Sequence, residues 1–148
     1  MELTSRQVRN KFKKMWPDLE YIWLFDRKTW LCLSLDEVKK ALAASKIPSM
    51  QWIDEFNDCD DFALQFLAET RRKQYFAYKA GTIARDSRIP IAMFLGFGNK
   101  FRGINILHML NIAICDDGEI YIVDATPSAN RIWKADAYNN NVLYISSV

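Results

Sequence analysis

Three side chains in this sequence have the chemistry of a thiol nucleophile and the groups that activate it. Cys59 lies in the run Asn57-Asp58-Cys59-Asp60-Asp61-Phe62-Ala63, His108 is the only histidine, and Asp124 ends an apolar segment. A thiol becomes a nucleophile when a neighbouring imidazole takes its proton, and a carboxylate on the other ring nitrogen holds that imidazole in place. We therefore predict that Cys59 is the nucleophile, His108 its base and Asp124 the residue that orients His108.

The segment that carries Cys59 is the most clearly periodic one in the chain. Apolar residues recur there at the spacing of one helical face, namely Cys59, Phe62, Ala63, Phe66 and Leu67. This spacing predicts a helix with Cys59 in its first turn, on the buried side. Asn57 or Asp58 is the predicted cap, and a helix N-terminus favours the thiolate form of a cysteine.

His108 and Asp124 fall on two segments that predict a β-hairpin, residues 106–114 and 119–125. If residues 116–118 form a three-residue loop with its glycine in the left-handed conformation, the facing pairs are Ile114 and Ile120, Ile112 and Ile122, Leu110 and Asp124, and His108 and Thr126. His108 and Asp124 are then diagonal neighbours on one apolar face, about 7 Å apart at the backbone. A two-residue turn would place them on opposite faces, so the predicted site depends on this register.

The other segments are predicted to be scaffold. The first half gives a helix from Thr4 or Ser5 that ends at Pro17, a hairpin of residues 19–25 and 30–33, and a helix opened by the capping box of Ser34 and Glu37 that runs to about Ser45. The second half gives a short strand at 75–78, a strand at 91–97, a glycine-rich turn at 96–103 and a strand at 142–146 after an asparagine turn.

Composition predicts one domain covering residues 1–148. The chain is 50% hydrophobic and 14% aromatic, which is enough for a sizeable core. Its formal charge of +2 is too near balance to argue for nucleic acid or an anionic membrane as the main partner, and we expect neither. No segment resembles a signal peptide or a membrane span, so we expect a cytoplasmic protein with reduced thiols. Cys32 and Cys115 lie in apolar runs and are predicted to be inert.

The Asp-Cys-Asp-Asp-Phe-Ala run at 58–63, His108 opening a strand, and Ile-Tyr-Ile-Val-Asp at 120–124 after a glycine turn together resemble the papain-like and transglutaminase-like cysteine hydrolases. Within them, the chain is most similar to the papain-like C-terminal domain of fungal agglutinins and its small phage and bacterial relatives, over residues 20–134. The resemblance implies an α+β fold in which N-terminal helices accompany a catalytic-cysteine helix packed on an antiparallel sheet. It assigns the nucleophile to Cys59, the base to His108 and the acidic member, usually a glutamate in this subgroup, to Asp124.

The function expected on this basis is a thiol-dependent hydrolase or acyltransferase acting on a peptide or amide bond, as a monomer or weak homo-oligomer with a peptide or protein substrate. Oxyanion donors are sought in the backbone amide near Cys59 and in the side chains of Gln51 or Trp52. The resemblance also implies calcium, for which Asp58, Asp60 and Asp61 offer oxygen ligands, although helix capping explains the same residues.

The sequence is also compatible with two other functions. One is a catalytically inactive binding or inhibitor protein on the same fold, for example a phage-encoded one, which an exposed aromatic patch would favour. The other is deamidation or cross-linking of glutamine by the same three residues.

Overall fold

The computed structural model describes residues 1–24, 29–54, 58–81, 89–127 and 131–147. Its helices are α1 (Ser5–Met15), α2 (Leu35–Ala44), a 3-10 turn (Ile47–Ser49) and α3 (Cys59–Lys79). Its strands are β1 (Glu2–Thr4), β2 (Tyr21–Trp23), β3 (Thr29–Leu31), β4 (Met93–Phe101), β5 (Ile104–Ile114), β6 (Ile120–Asp124), β7 (Arg131–Lys134) and β8 (Asn141–Ser146). Six strands form one sheet in the order β2-β8-β4-β5-β6-β7, and β1 pairs with β3. The predicted α+β class is confirmed.

Side-chain caps explain where the first two helices begin. Thr4 Oγ1 accepts a hydrogen bond from the amide of Gln7 at 3.3 Å, and the amide of Thr4 donates back to Gln7 Oε1 at 2.7 Å. Ser34 and Glu37 make the same reciprocal pair at the start of α2, with distances of 3.1 and 2.7 Å. The predicted capping box is therefore confirmed, because each motif satisfies amide groups that a helix start leaves without partners.

The large sheet separates two apolar layers. On one face, α1 packs against the even-numbered residues of β5 and β6, and this cluster includes Val8, Phe12, Trp16, Phe94, Leu110, Ile112, Ile114, Ile120 and Ile122. On the other face, α2 and α3 pack against the odd-numbered residues, in a cluster that includes Val38, Leu42, Phe66, Leu67, Met93, Ala113 and Val123. Strand alternation thus assigns each side chain of β5 to one layer.

The β5–β6 hairpin has the predicted register. Ile114 faces Ile120 and Ile112 faces Ile122, and Gly118 adopts a φ of +82°. The loop is closed by a hydrogen bond from the amide of Cys115 to the carbonyl of Glu119. The three-residue turn is confirmed, and the ladder between the two strands ends at the pair Asn111 and Val123.

The predicted hairpin of residues 19–33 is wrong. β2 pairs in parallel with β8, and β3 pairs antiparallel with β1, so the two segments have different partners. The intervening residues 25–28 lie outside the described part of the chain. Short apolar runs indicate strands but do not specify which strand they pair with, and β1 itself was not predicted.

Two other predictions in the second half are corrected. Residues 75–78 are the last turns of α3 and not a strand, since helix geometry continues from Cys59 in spite of the aromatic content. The glycine-rich segment 96–103 is mostly part of β4, and only Arg102 and Gly103 form a turn. Gly96 and Gly98 are needed within the strand because a Cβ atom there would collide with the Ile112 side chain or the Asn141 carbonyl.

Among the described residues, no helix is long and apolar enough to cross a membrane.

Candidate functional site

Cys59 is the first residue of α3 and is half-buried. Asp58 is the cap residue, and its amide donates to Asp61 Oδ2 at 3.3 Å. The other predicted cap, Asn57, lies outside the described residues. The thiol therefore occupies the N-terminal end of a 21-residue helix, where the helix dipole favours negative charge.

The structure brings His108 and Asp124 together. His108 Nε2 lies 3.1 Å from Asp124 Oδ2, and the two side chains are only 16% and 10% exposed. The imidazole also meets the ring of Phe101 edge-on, with 6.0 Å between the ring centroids. The contact between His108 and Asp124 agrees with the diagonal placement that the hairpin register predicts.

Thr126 holds the other oxygen of Asp124. Its amide and its hydroxyl both donate to Asp124 Oδ1, at 3.1 and 2.8 Å. Burial by itself raises the pKa of Asp124, but the hydrogen bonds from His108 and Thr126 outweigh it and lower this pKa below its ordinary value. Asp124 is therefore a fixed, ionised carboxylate with both oxygens occupied.

His108 links the carboxylate to the thiol. Burial by itself lowers the pKa of His108, but hydrogen bonds with Asp124 and with the Cys59 side chain raise it to about 9. Because Asp124 occupies Nε2, Nδ1 is the ring nitrogen that remains for the thiol. At neutral pH the ring is therefore an imidazolium, a cation at the same cleft as the Cys59 side chain.

The other two cysteines have a different environment. Burial raises the pKa of the Cys32 thiol to about 11 and that of Cys115 to about 12. Both side chains are almost fully buried in the apolar layers. Their predicted inertness agrees with this burial, since the thiolate is the reactive form.

The end of the β5–β6 ladder explains how a cysteine on α3 reaches His108. By strand alternation, His108 shares the face of Leu110 that packs under α1, whereas α3 covers the opposite face. Pairing with β6 stops at Asn111, and β5 then pairs with β4 alone down to Ile104. The start of α3 meets His108 at this open end. The side-chain amide of Asn111 donates to the Ala63 carbonyl at 2.9 Å and ties the helix to the strand there.

These residues line a cleft of about 460 Å³, which we call the thiol cleft. Its walls are the start of α3, the open half of β5, the β4–β5 turn and β7. The lining residues are Trp52, Asp58, Cys59, Phe101, Arg102, Ile104, Ile106, Leu107, His108, Asp124, Thr126 and Trp133. Most of this surface is apolar, and the polar groups converge at one place, which is typical of a ligand site.

Of the two predicted oxyanion donors, Trp52 lines the thiol cleft and Gln51 does not. Trp52 stacks on Phe62 at 5.9 Å and lines the cleft, but its indole N–H donates to Asp54 Oδ1 at 2.6 Å. That N–H is therefore directed to a carboxylate within the chain. Gln51 is exposed and is not part of the described cleft lining.

The predicted calcium ligands are only partly grouped. Donor atoms of Asp58, Cys59 and Asp60 lie within 4.8 Å of one another, whereas the Asp61 carboxylate is turned towards the Asp58 amide. A hydrogen bond with Asp58 raises the pKa of Asp60. Calcium takes six to eight oxygen ligands, and two carboxylates and a sulfur fall short of that set. Calcium binding stays a prediction.

Sequence reasoning did not assign several of the cleft residues to the site, among them Thr126, Trp133 and Arg102. Thr126 had a usable signal, because a threonine two positions after an aspartate commonly hydrogen-bonds to it. Trp133 lies on β7, a strand that was not predicted. Arg102 was assigned to a turn without any function, and its place in the cleft depends on the tertiary structure.

No family model matches this chain, and no curated protein matches it significantly. Solved structures do match. The structure described as the PSL1a–E64 complex has a TM-score of 0.72 at 19% identity, covering 97% of this chain and 49% of that one. Polyporus squamosus lectin bound to a human-type influenza-binding epitope has a TM-score of 0.71 at 19% identity, with the same coverage. This chain spans about half the length of these structures, and at this identity the likeness shows the fold alone.

These comparisons correct the expected family. The matching structures are those of a lectin, and no family model or curated protein supports a cysteine hydrolase. The expected membership of the papain-like and transglutaminase-like hydrolases is therefore wrong. The same holds for the thiol-protease function acting on a peptide and for the phage-encoded inhibitor. The residue geometry described above does not depend on that assignment.

Proposed function

We propose that the thiol cleft is a ligand-binding site in which Cys59 is the reactive group. The observation that carries this proposal is that Cys59 and His108 line the same cleft and that His108 hydrogen-bonds to Asp124, which Thr126 holds. A histidine that is only structural has no need of a thiol on one side and a doubly anchored carboxylate on the other. The proposal includes the finer fold class. We propose a papain-like arrangement of the α+β fold, in which the helix that carries the thiol packs against strands that carry the histidine and the aspartate.

Each residue has a distinct role. The Cys59 thiolate attacks an electrophilic carbon of the bound ligand and forms an Sγ–C bond, while the electron pair of the broken bond moves to the group that leaves or opens. The imidazolium of His108 can give its proton to that group. Asp124 keeps the ring oriented and stabilises its positive charge. A ligand bound against the apolar walls displaces water, which strengthens the electrostatic interactions in the cleft.

E64, the ligand named in the PSL1a–E64 complex, is a first compound with which to test the role of Cys59. E64 is proposed to bind to this chain in the thiol cleft. Mass spectrometry of the intact protein distinguishes covalent from reversible binding, and a Cys59→Ser variant reports whether the thiol is required. Binding that is unchanged in Cys59→Ser would show that the thiol is not required and would contradict the proposed role of Cys59.

Alkylation with iodoacetamide tests the thiol directly. At pH 7, peptide mapping is expected to show Cys59 modified at least about a hundredfold faster than Cys32 or Cys115, because only Cys59 is partly exposed and paired with an imidazolium. The two buried cysteines are internal controls in the same sample. Equal rates for all three thiols in the folded protein would refute the proposal.

Glycan binding in the same cleft is a second candidate function. It is favoured by the aromatic rings of Trp52 and Trp133 in the cleft lining and by the glycan-bound state of the Polyporus squamosus lectin. A sialylated glycan is then expected to bind wild type and Cys59→Ser alike and to bind Trp52→Ala more weakly, as measured by calorimetry. Trp52 is 42% exposed, so this substitution should leave the fold intact. The cytoplasmic location and the monomeric or weakly oligomeric state stay predictions.

A further inference from the structure

The turn between β4 and β5 has an unusual residue at its first position. Phe101 pairs with Ile104, so the loop consists of Arg102 and Gly103 alone, with φ angles of 52° and 76°. A two-residue turn with both angles positive normally has Asn or Asp followed by Gly, because other side chains strain the left-handed conformation. Arg102 is the only described residue other than glycine with a positive φ. A backbone outlier of this kind points to a use for the side chain.

The structure fixes this arginine over the cleft. The amide of Arg102 donates to Asn140 Oδ1 at 3.2 Å, and its guanidinium lies over the Trp133 ring, 5.6 Å from the centroid. The indole N–H of Trp133 donates to the same Asn140 oxygen, also at 3.2 Å. Asn140 is fully buried and therefore anchors both the turn and the ring beneath it. Arg102 is held at the cleft by its backbone and by its side chain.

The charges of the cleft leave Arg102 as its open cation. Asp124 is neutralised by His108, and Asp58 lies on the wall formed by α3. Within the described residues, no carboxylate lies within salt-bridge distance of Arg102. A guanidinium binds a carboxylate with two parallel hydrogen bonds, which a lysine cannot do.

The strand that follows Arg102 supplies an apolar wall. Ile104, Ile106 and Leu107 are 64%, 50% and 68% exposed, although all three are large aliphatic side chains and line the cleft. They lie on the half of β5 that β6 does not cover. Exposed apolar surface next to polar groups is typical of a surface that binds a ligand.

We propose that the thiol cleft selects ligands that carry a carboxylate next to an apolar group. Arg102 binds the carboxylate, and the wall of Ile104, Ile106 and Leu107 binds the apolar group. This inference rests on the proposed role of Cys59, since it names the ligand class of the same site. It predicts that the charge and the size of an electrophile change its rate of reaction with Cys59.

The test compares iodoacetate with iodoacetamide, which differ in charge. In both reactions the thiolate forms an Sγ–C bond, the C–I bond breaks and iodide leaves with the electron pair. The rate ratio of iodoacetate to iodoacetamide at Cys59 is expected to fall at least about threefold in Arg102→Asn, because a nearby cation is lost. Asparagine suits the turn, so this variant should melt at or above the wild-type temperature. Arg102→Lys keeps the charge but not the two parallel donors, so its ratio should lie between those of wild type and Arg102→Asn.

A control variant shows whether the change in the iodoacetate to iodoacetamide ratio is specific to Arg102. Lys39→Gln removes an exposed cation from α2, away from the cleft, and should leave the ratio unchanged.

The apolar wall is tested with maleimides. In this reaction the thiolate adds to the double bond of the maleimide, whose other carbon takes up a proton. Leu107→Ser is expected to lower the rate ratio of N-phenylmaleimide to N-ethylmaleimide by about twofold or more.

The failures of the two proposals are distinguishable. Fast alkylation of Cys59 with the same iodoacetate ratio in wild type and Arg102→Asn overturns the carboxylate selection and leaves the reactive thiol standing. An unchanged maleimide ratio in Leu107→Ser overturns the apolar wall in the same way. Absence of fast alkylation by any of these reagents overturns both proposals.

Discussion

The two ends of the β5–β6 hairpin share one register and differ in chemistry. At the turn end, Ile114 faces Ile120, and the neighbouring Cys115 is fully buried. At the open end, the same face presents His108 and Asp124, which hydrogen-bond to each other. Strand alternation places both sets, but β5 is no longer paired with β6 at the open end. A thiol at the turn end is thus part of the core, whereas a thiol at the open end meets an imidazolium.

The apolar end is expected to carry the stability of the hairpin. Ile112 is fully buried and packs across β4. Ile112→Ala should lower the free energy of unfolding by about 3 kcal/mol, because methyl groups are removed and a cavity is left. Chemical denaturation measures this loss. The preference of iodoacetamide for Cys59 in the folded protein should persist, and its disappearance would show that the two ends are not independent.

The open end is expected to make stability depend on pH. The folded pKa of His108 is about 9, raised from an ordinary value of 6.5, so the folded state holds this proton more tightly than the unfolded state. The stabilisation is complete below pH 6.5 and is lost as the pH rises through about 9, on the order of 2 kcal/mol. Melting temperatures between pH 6 and pH 10 measure this loss. His108→Asn should remove the decline across this window, and a decline that persists in the variant would assign it to other groups.

Removing the imidazole should also slow the alkylation of the Cys59 thiol. In His108→Asn, Cys59 keeps its helix position but loses its cationic neighbour, so alkylation by iodoacetamide at pH 7 is expected to slow by about tenfold or more. Stopped-flow or quenched mass spectrometry gives the rate. The rates at Cys32 and Cys115 should stay the same, and faster labelling there would indicate local unfolding instead.

The smallest effect is expected from Thr126. Thr126→Val keeps the shape and the backbone donor to Asp124 but removes the hydroxyl donor. We expect a loss of about 1 kcal/mol in stability and less than a tenfold slowing of Cys59 alkylation. Thr126→Ser should restore both values. A slowing as large as that in His108→Asn would mean that Asp124 depends on this hydroxyl for its orientation.

Sequence patterns predicted the elements that are local. The periodicity of α3, the capping box of α2 and the β5–β6 turn were all correct, because each depends on residues close together in the chain. Predictions that required a partner strand failed, as for residues 19–33, since alternation in a short strand does not name its neighbour. The aromatic residues at 75–78 favoured a strand, but the continuing helix overrode that propensity.

The sequence by itself determined which face of the sheet His108 and Asp124 share. Turn length and strand alternation are sufficient for that, because the side-chain period of a strand is two. Only the tertiary structure decided that α3 meets the open end of β5, that Thr126 anchors Asp124 and that Arg102 stands over Trp133. These contacts join segments that are far apart in the chain or lie on an element that no pattern predicted, and they follow from how the layers pack rather than from any local motif.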